Sequence, residues 1–304
     1  MGGHVGAAQA ERRTVSRRLA LGTAQFGLRY GIANRSGRVE RDAARAILAC
    51  AAEAGIATLD TAVAYGDSEA RLGELGVDGW QIVSKLPPLP SDCADVGSYV
   101  WQQTRDAMRR MRITRLHGLL LHRPRDLLER NGHTLYEALC GLRARDTVAK
   151  IGVSIYDPRE LEELTGRFHL DIVQAPFNVI DRRLATSGWL ARLHAAGIEV
   201  HVRSLFLQGL LLMSEAARPR YFNRWQSLFN SWRGWLDRNE LTPLRACVGF
   251  ALSYAEIDRA IVGVDSLEQL RAVVAEAAAP LMTVPGNLTS EDSALVNPSQ
   301  WNLS

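Results

Sequence analysis

The stretch "ERDAARAILACAAEAGIATLDTAVAYG", residues 40–66, decides the fold. Residues 40–55 carry apolar side chains at helical spacing and stop at Gly55, a residue suited to the left-handed end of a helix. A short apolar run, 57–60, follows at once, and then a polar loop. A helix leading straight into a short, continuously apolar strand is the unit of a parallel sheet covered on both faces. Asp60 closes the strand and Tyr65 lies in the loop behind it. The C-terminal end of a strand is where a parallel barrel carries its chemistry. These two residues are therefore either turn residues or working ones.

The same unit recurs along the chain. Apolar strand segments are expected at 18–22, 57–60, 81–84, 118–121, 150–154, 171–174, 199–204 and 259–263. Amphipathic or capped helical patterns lie between them, at 40–55, 99–112, 156–166 and 186–197. In the third of these Asp157 reads as the N-cap, Pro158 as the first helical residue and Gly166 as the stop. Eight β-then-α units imply an α/β protein with a single (β/α)₈ TIM barrel over residues 17–304, preceded by a mobile tail, 1–16. A doubly wound open sheet is the alternative, but "LGTAQFGLRYG" (21–31) lacks the G-x-G-x-x-G spacing of its first turn. One long irregular segment, 205–242, holds Tyr221, Phe222, Trp225, Phe229, Trp232 and Trp235. It reads either as a short packed helix with aromatic glue or as a substrate wall.

Composition narrows the function classes. The chain has 304 residues, 47% of them apolar, which suffices for a large core. A net charge of +3 with interspersed signs points to no nucleic acid and no membrane surface. Cys50, Cys93, Cys140 and Cys247 form no C-x-x-C pair and have no His at zinc spacing. Reduced thiols in a cytoplasmic protein are the expected state, and no metal site is expected. No apolar run approaches a membrane span, and the first residues lack a secretory apolar region.

The strand ends collect a coherent set. Strand two ends at Asp60 with Tyr65 behind it, strand three at Lys85 in "VSKLPP", strand four at His122 in "LLLHRP". A phenol is a poor acid at neutral pH. The Lys85 ammonium is expected to stabilise its phenolate, Asp60 to hold Lys85, and His122 to orient a carbonyl oxygen. With no nucleophilic Ser or Cys in the set, it suits proton transfer to a carbonyl oxygen, with hydride supplied from elsewhere. Arg123, beside His122, reads as a surface ion-pair partner.

On "DTAVAYG", "SKLPP" and "LLHRP", in that order, the sequence resembles the aldo-keto reductase family from Leu21 to about Val274. Asp60, Tyr65, Lys85 and His122 match that family's catalytic residues. The resemblance implies NAD(P)H-dependent interconversion of an aldehyde, ketone or sugar carbonyl with the alcohol or lactone. It places Gly22, Thr23 and Asp60 beside the cofactor, NAD(H) or NADP(H), and Ser154 and Gln174 on the nicotinamide carboxamide. Ser204, Leu205 and Gly209 would cover the pyrophosphate; Gly263, Asp265, Ser266 and Gln269 would meet the adenosine end. The sequence departs from the pattern at Ile155, at Ala272 and Val273, and at Arg203, where many members stack an aromatic on the nicotinamide. Arg203 either stacks its guanidinium plane there or binds an anion. "TAQFGLRYGIANRSG", "RSLFLQGLLL" and "NPSQW" resemble a branch holding bacterial sugar dehydrogenases and NADH-binding regulators. The expected partner is a small carbonyl or sugar substrate, and an oligomer is left open. A regulator that binds NAD(H) with little turnover is the competing function.

Overall fold

The expected apolar runs become eight parallel strands in a computed structural model that describes residues 17–277 and 284–303. They are β1 (Leu19–Gly22), β2 (Thr58–Asp60), β3 (Gln81–Leu86), β4 (Leu116–Leu121), β5 (Val148–Ser154), β6 (Ile172–Pro176), β7 (Glu199–Arg203) and β8 (Arg259–Gly263). Each pairs with the next, and β1 pairs with β8, so the sheet closes into a barrel. The anticipated tail, 1–16, lies outside the described residues.

The main barrel helices are α1 (Arg41–Glu53), α2 (Ser68–Leu75), α3 (Val96–Met111), α4 (Gly132–Ala144), α5 (Glu160–Arg167), α6 (Trp189–Ala195), α7 (Gln226–Arg238), α8 (Pro243–Leu252) and α9 (Leu267–Ala277). In α1 the buried face is Ala44, Ile47, Leu48 and Ala51, and the chain then turns through Gly55 at φ 82°. That spacing is one stripe of a helix. α2 and α3 cross so closely that a Cβ on Gly73 would stand 2.1 Å from the Arg110 carbonyl oxygen.

Parity within the strands sets what enters the lumen. Successive side chains alternate between faces. The Gln174 amide of β6 donates to Asp60 of β2 at 2.7 Å. Those strands are not neighbours in the ring, so the contact spans the lumen. Beneath it Val83, Leu120 and Ile172 form a small separate apolar cluster. The larger core contains residues from the strands and from the surrounding helices. At the opposite end Lys150 Nζ meets Glu199, and His201 Nε2 lies 2.8 Å from the same carboxylate.

Two helix expectations are corrected, and the two readings of the aromatic segment are separated. The helix over 156–166 begins only at Glu160, because Asp157 Oδ1 accepts the Arg159 N–H while Glu160 accepts the N–H groups of Tyr156 and Asp157. Asp157 therefore closes a turn ahead of the helix and is not its N-cap, a position that Arg159 takes, and Gly166 lies inside α5 rather than ending it. The helix over 186–197 breaks at Gly188 (φ 79°) into a turn, Arg183–Thr186, and α6. The aromatic segment is not a substrate wall. Phe222, Phe229, Trp232 and Trp235 are buried in the core. Phe222 meets Trp301 edge-on at 4.9 Å, and Trp232 and Trp235 stack at 5.6 Å. Tyr221 and Trp225 donate to Ala294 and Asp292 of the C-terminal segment. Each ring has found an apolar or polar partner away from the lumen, as large amphipathic rings require.

Candidate active site

The ends of β2 and β3 build the most deeply buried ion pair of the rim. Lys85 Nζ donates to both Asp60 oxygens at 2.8 Å and to the Thr61 carbonyl at 3.0 Å. Lys85 is 1% exposed. Burial lowers its pKa and Asp60 opposes that fall. Gln174 adds a second donor to Asp60, and the Ser154 hydroxyl donates to Gln174 at 3.1 Å.

Tyr65 is held above this pair by close backbone approach. A Cβ on Gly27 would fall 1.8 Å from the Tyr65 carbonyl oxygen, and Gly66 turns through φ 57° against Gly27. The Ser68 hydroxyl donates to Thr23, whose own hydroxyl donates to the Asp60 carbonyl at 2.9 Å. The ends of β1 and β2 are thus tied beneath the loop. The Tyr65 ring stands edge-on to His122 with centroids 6.4 Å apart, and Lys85 Nζ lies 5.1 Å from the Tyr65 centroid. The structure therefore brings Asp60, Tyr65, Lys85 and His122 together.

Their electrostatics differ from the sequence expectation in one respect. Burial, and then the Asp60 charge, hold the Tyr65 phenol well above an ordinary tyrosine, while Arg203 pulls it down. The hydrogen-bonding charge of Lys85 is committed to Asp60, which offsets the influence assigned to it. The phenol is accordingly protonated through the neutral range. His122 is lowered to about 4 by burial, Lys85 and Arg203, against Asp60. It is therefore a neutral imidazole at pH 7, able to donate a hydrogen bond without carrying charge.

A cavity of about 390 Å³ opens at this rim. Asp60 and Tyr65 line one part of it, and Asp265, Gln269, Ala272 and Val273 line another. Gly22, Thr23, Arg203, Ser204, Leu205, Gly209 and Gly263 also stand in its wall. Lys85, His122, Ser154, Gln174 and Ser266 do not; Ser266 instead accepts the Gln269 N–H at 3.2 Å. Phe26 is fully buried in the core, whereas Tyr30 lines the cavity. Sequence reasoning missed Gln25, Asn34 and Gln208 in the wall. Asn34 Nδ2 donates to Asp265 Oδ1 at 2.9 Å, and the Ile32 N–H to the Gln208 carbonyl at 3.1 Å. Leu207, Gln208 and Gly209 all take positive φ, which folds this loop tightly toward Ala33. Arg123 is paired with Asp126 and Glu129, as expected of a surface cation.

The sequence model of the Aldo/keto reductase family matches residues 18–283. The chain belongs to the aldo-keto reductase family. Its fold matches a putative aldo-keto reductase from Pseudomonas aeruginosa with a TM-score of 0.64, at 24% identity over 86% of this chain and 89% of that one. It matches an aldo-keto reductase from Bacillus halodurans, in its holo form, with a TM-score of 0.72, at 19% identity over 93% and 95%. At these identities the likeness is one of fold. No curated protein matches the chain. As an aldo-keto reductase it is an NAD(P)-dependent oxidoreductase. Among the described residues no helix is long and apolar enough to cross a membrane, no metal-binding cluster occurs, and the four cysteines are free.

The cavity fits the cofactor that the family implies. It joins the Asp60–Tyr65 region to the Asp265 region in one continuous space. Its wall mixes apolar surface with a few polar groups, as ligand sites do.

Proposed function

We propose that this aldo-keto reductase interconverts a small aldehyde, ketone or sugar carbonyl with its alcohol or lactone, and that Tyr65 carries the proton. The observation that supports this reading is the Tyr65 ring standing edge-on to His122, centroids 6.4 Å apart, in the wall of a cavity that Tyr65 shares with Asp60 and Asp265. When bound, the nicotinamide cofactor would supply or accept the hydride. Gly22, Thr23, Ser204, Leu205, Gly209, Gly263, Asp265 and Gln269 would hold it as NAD(H) or NADP(H). Ser154 and Gln174 would act on its nicotinamide end, Gln174 while also fixing Asp60, and Ser266 would act through Gln269.

In reduction, Tyr65 donates its proton to the carbonyl oxygen and His122 orients that oxygen by a neutral hydrogen bond. Lys85 and Asp60 form a buried ion pair beneath the phenol, with Lys85 Nζ 5.1 Å from the centroid of its ring. The reading is tested by Tyr65→Phe. Turnover of a responsive aldehyde should fall by about 10²–10⁴-fold, while cofactor affinity, read by fluorescence titration, stays near wild type. Wild-type kcat in this variant would remove Tyr65 from the mechanism. Tight cofactor binding by a wild type that turns over no carbonyl would favour the regulator instead.

A further inference from the structure

Arg203 ends β7 at the same rim as the catalytic set and lines the same cavity as Tyr65 and Asp60. Its guanidinium is fixed in three ways. Nη2 donates to the Ile155 carbonyl at 3.0 Å, Nη1 approaches the Ser204 hydroxyl at 3.3 Å, and the group lies 4.5 Å from the centroid of the Tyr156 ring. A guanidinium carries five N–H donors in a rigid fork, so these contacts orient it and leave donors to spare. Carbonyl, hydroxyl and ring all hold it without neutralising it.

The other charges nearby are accounted for. Lys85 and Asp60 cancel each other. Arg123 is spent on Asp126 and Glu129. Asp265 accepts from Asn34 in the other part of the cavity. Among the described residues no carboxylate forms an ion pair with Arg203. The catalytic region therefore holds one uncompensated positive charge, half-buried, on a planar fork that is already oriented. Its field is felt by Tyr65, Lys85 and His122, each of which it shifts downward. A half-buried cation gains most from a ligand that brings the missing anion.

We propose that Arg203 anchors the substrate, and that the carbonyl compounds handled best by this enzyme carry an anionic group, a carboxylate or a phosphate, away from the reacting carbon. The proposal rests on the carbonyl-reductase reading above. The anion docks on the free edge of the guanidinium and leaves the carbonyl oxygen to Tyr65 and His122. Arg203 then acts by holding substrate, so its contribution appears mainly in KM.

The test compares kcat/KM, at saturating cofactor, for ω-oxo carboxylates of graded length against alkanals of the same length. Glyceraldehyde 3-phosphate is compared with glyceraldehyde in the same way. The wild type should prefer at least one anionic series by about tenfold or more, and the preference should shrink as salt rises. In Arg203→Met it should fall to within about twofold of unity, chiefly through KM. Preference for the carboxylates or for the phosphate identifies the group. Cofactor affinity is measured on both proteins. An unchanged preference in Arg203→Met, with weakened cofactor binding, would assign Arg203 to the cofactor and overturn the proposal. A wild type that reduces neutral aldehydes with no anion preference at any salt would also overturn it, while leaving the carbonyl-reductase reading intact. Failure on every carbonyl would sink that reading itself.

Discussion

Lys85 Nζ stands 2.8 Å from both oxygens of Asp60, and both side chains are sealed from water, at 1% and 5% exposed. Such a pair is poor evidence of net stability, since desolvation offsets much of the attraction. Breaking it from one side is different. Lys85→Met leaves the Asp60 carboxylate buried with only Gln174 as a side-chain donor. Urea unfolding should show a loss of about 3–5 kcal/mol. Asp60→Asn combined with Lys85→Met should recover a good part of it, because no unpaired charge remains. A double variant no more stable than Lys85→Met would show that the two residues are not coupled.

Gly27 carries a prediction that isolates position from chemistry. Its missing Cβ leaves room for the Tyr65 carbonyl, which would otherwise be 1.8 Å away. Gly27→Ala must displace the Tyr65 loop while leaving every group that takes part in the proton transfer chemically intact. A misplacement of about 1 Å can cost on the order of 10²-fold in rate, and kcat/KM should fall by that order, with a stability loss of about 1–3 kcal/mol. Gly166, inside α5, meets nothing within 4 Å. Gly166→Ala should stabilise by about 0.5–1 kcal/mol and leave the rate unchanged. Equal rates in both variants would show that the loop absorbs the methyl group.

The barrel and its rim were legible because each depends on local signals. A strand buried on both faces must be apolar throughout, so β5 and β8 announce themselves as "KIGVS" and "RAIVG". Asp60, Lys85 and His122 stand out because they are polar at the ends of such runs. Contacts between distant residues left no such trace. Asn34 and Asp265 are 231 positions apart, and nothing in either neighbourhood names the other. The need for glycine at 27 arises from Tyr65 folding back against it, which no spacing rule encodes. The aromatic residues of 221–235 read equally well as packing glue or as a substrate wall, and only the tertiary burial of Phe222, Phe229, Trp232 and Trp235 separates the two. For Lys85 the rim position was readable, whereas its hydrogen bonds to Asp60 and Thr61 depend on lumen geometry.

The opposite end of the barrel holds an acid-sensitive cluster. Burial alone would raise the Glu199 carboxyl, but His117 beside it, 3.5 Å away, and the hydrogen-bonded His201 and Lys150 overcome that and hold the group far below the ordinary carboxylate range. A depressed carboxyl contributes stability that is fully present above its unfolded pKa of about 4.3 and is lost as pH falls toward the folded value. Glu199→Gln should therefore cost about 3 kcal/mol or more at pH 7, and progressively less as pH falls below about 4. Unfolding free energies measured from pH 7 to pH 3 give the comparison. A constant difference across that range would mean that the Glu199 charge is not what stabilises the cluster.

Asp265 carries a prediction about cofactor choice. Its carboxylate lines the cavity, accepts from Asn34 Nδ2 at 2.9 Å, and has no cation paired with it among the described residues. Arg271 does not line the cavity; its charge is felt instead by Glu268. A carboxylate accepts a hydrogen bond from a ribose 2′-hydroxyl and repels a 2′-phosphate. Two like charges about 4 Å apart interact by roughly 4 kcal/mol at an effective dielectric of about 20. Even a third of that is about tenfold in affinity. NADH should therefore bind at least about tenfold more tightly than NADPH, and Asp265→Ser should strengthen NADPH binding by a similar factor. The pH dependence has a definite sign. Burial raises the Asp265 carboxyl above its usual value, with Gln269 and Asn34 opposing. As pH falls toward that raised value the carboxylate is neutralised, repulsion fades, and the gap between NADH and NADPH should narrow in the wild type but not in Asp265→Ser. Dissociation constants for both cofactors between pH 8 and pH 5 decide it. Tight NADPH binding by the wild type at pH 8, unimproved in Asp265→Ser, would show that the 2′-phosphate is placed beyond reach of this carboxylate.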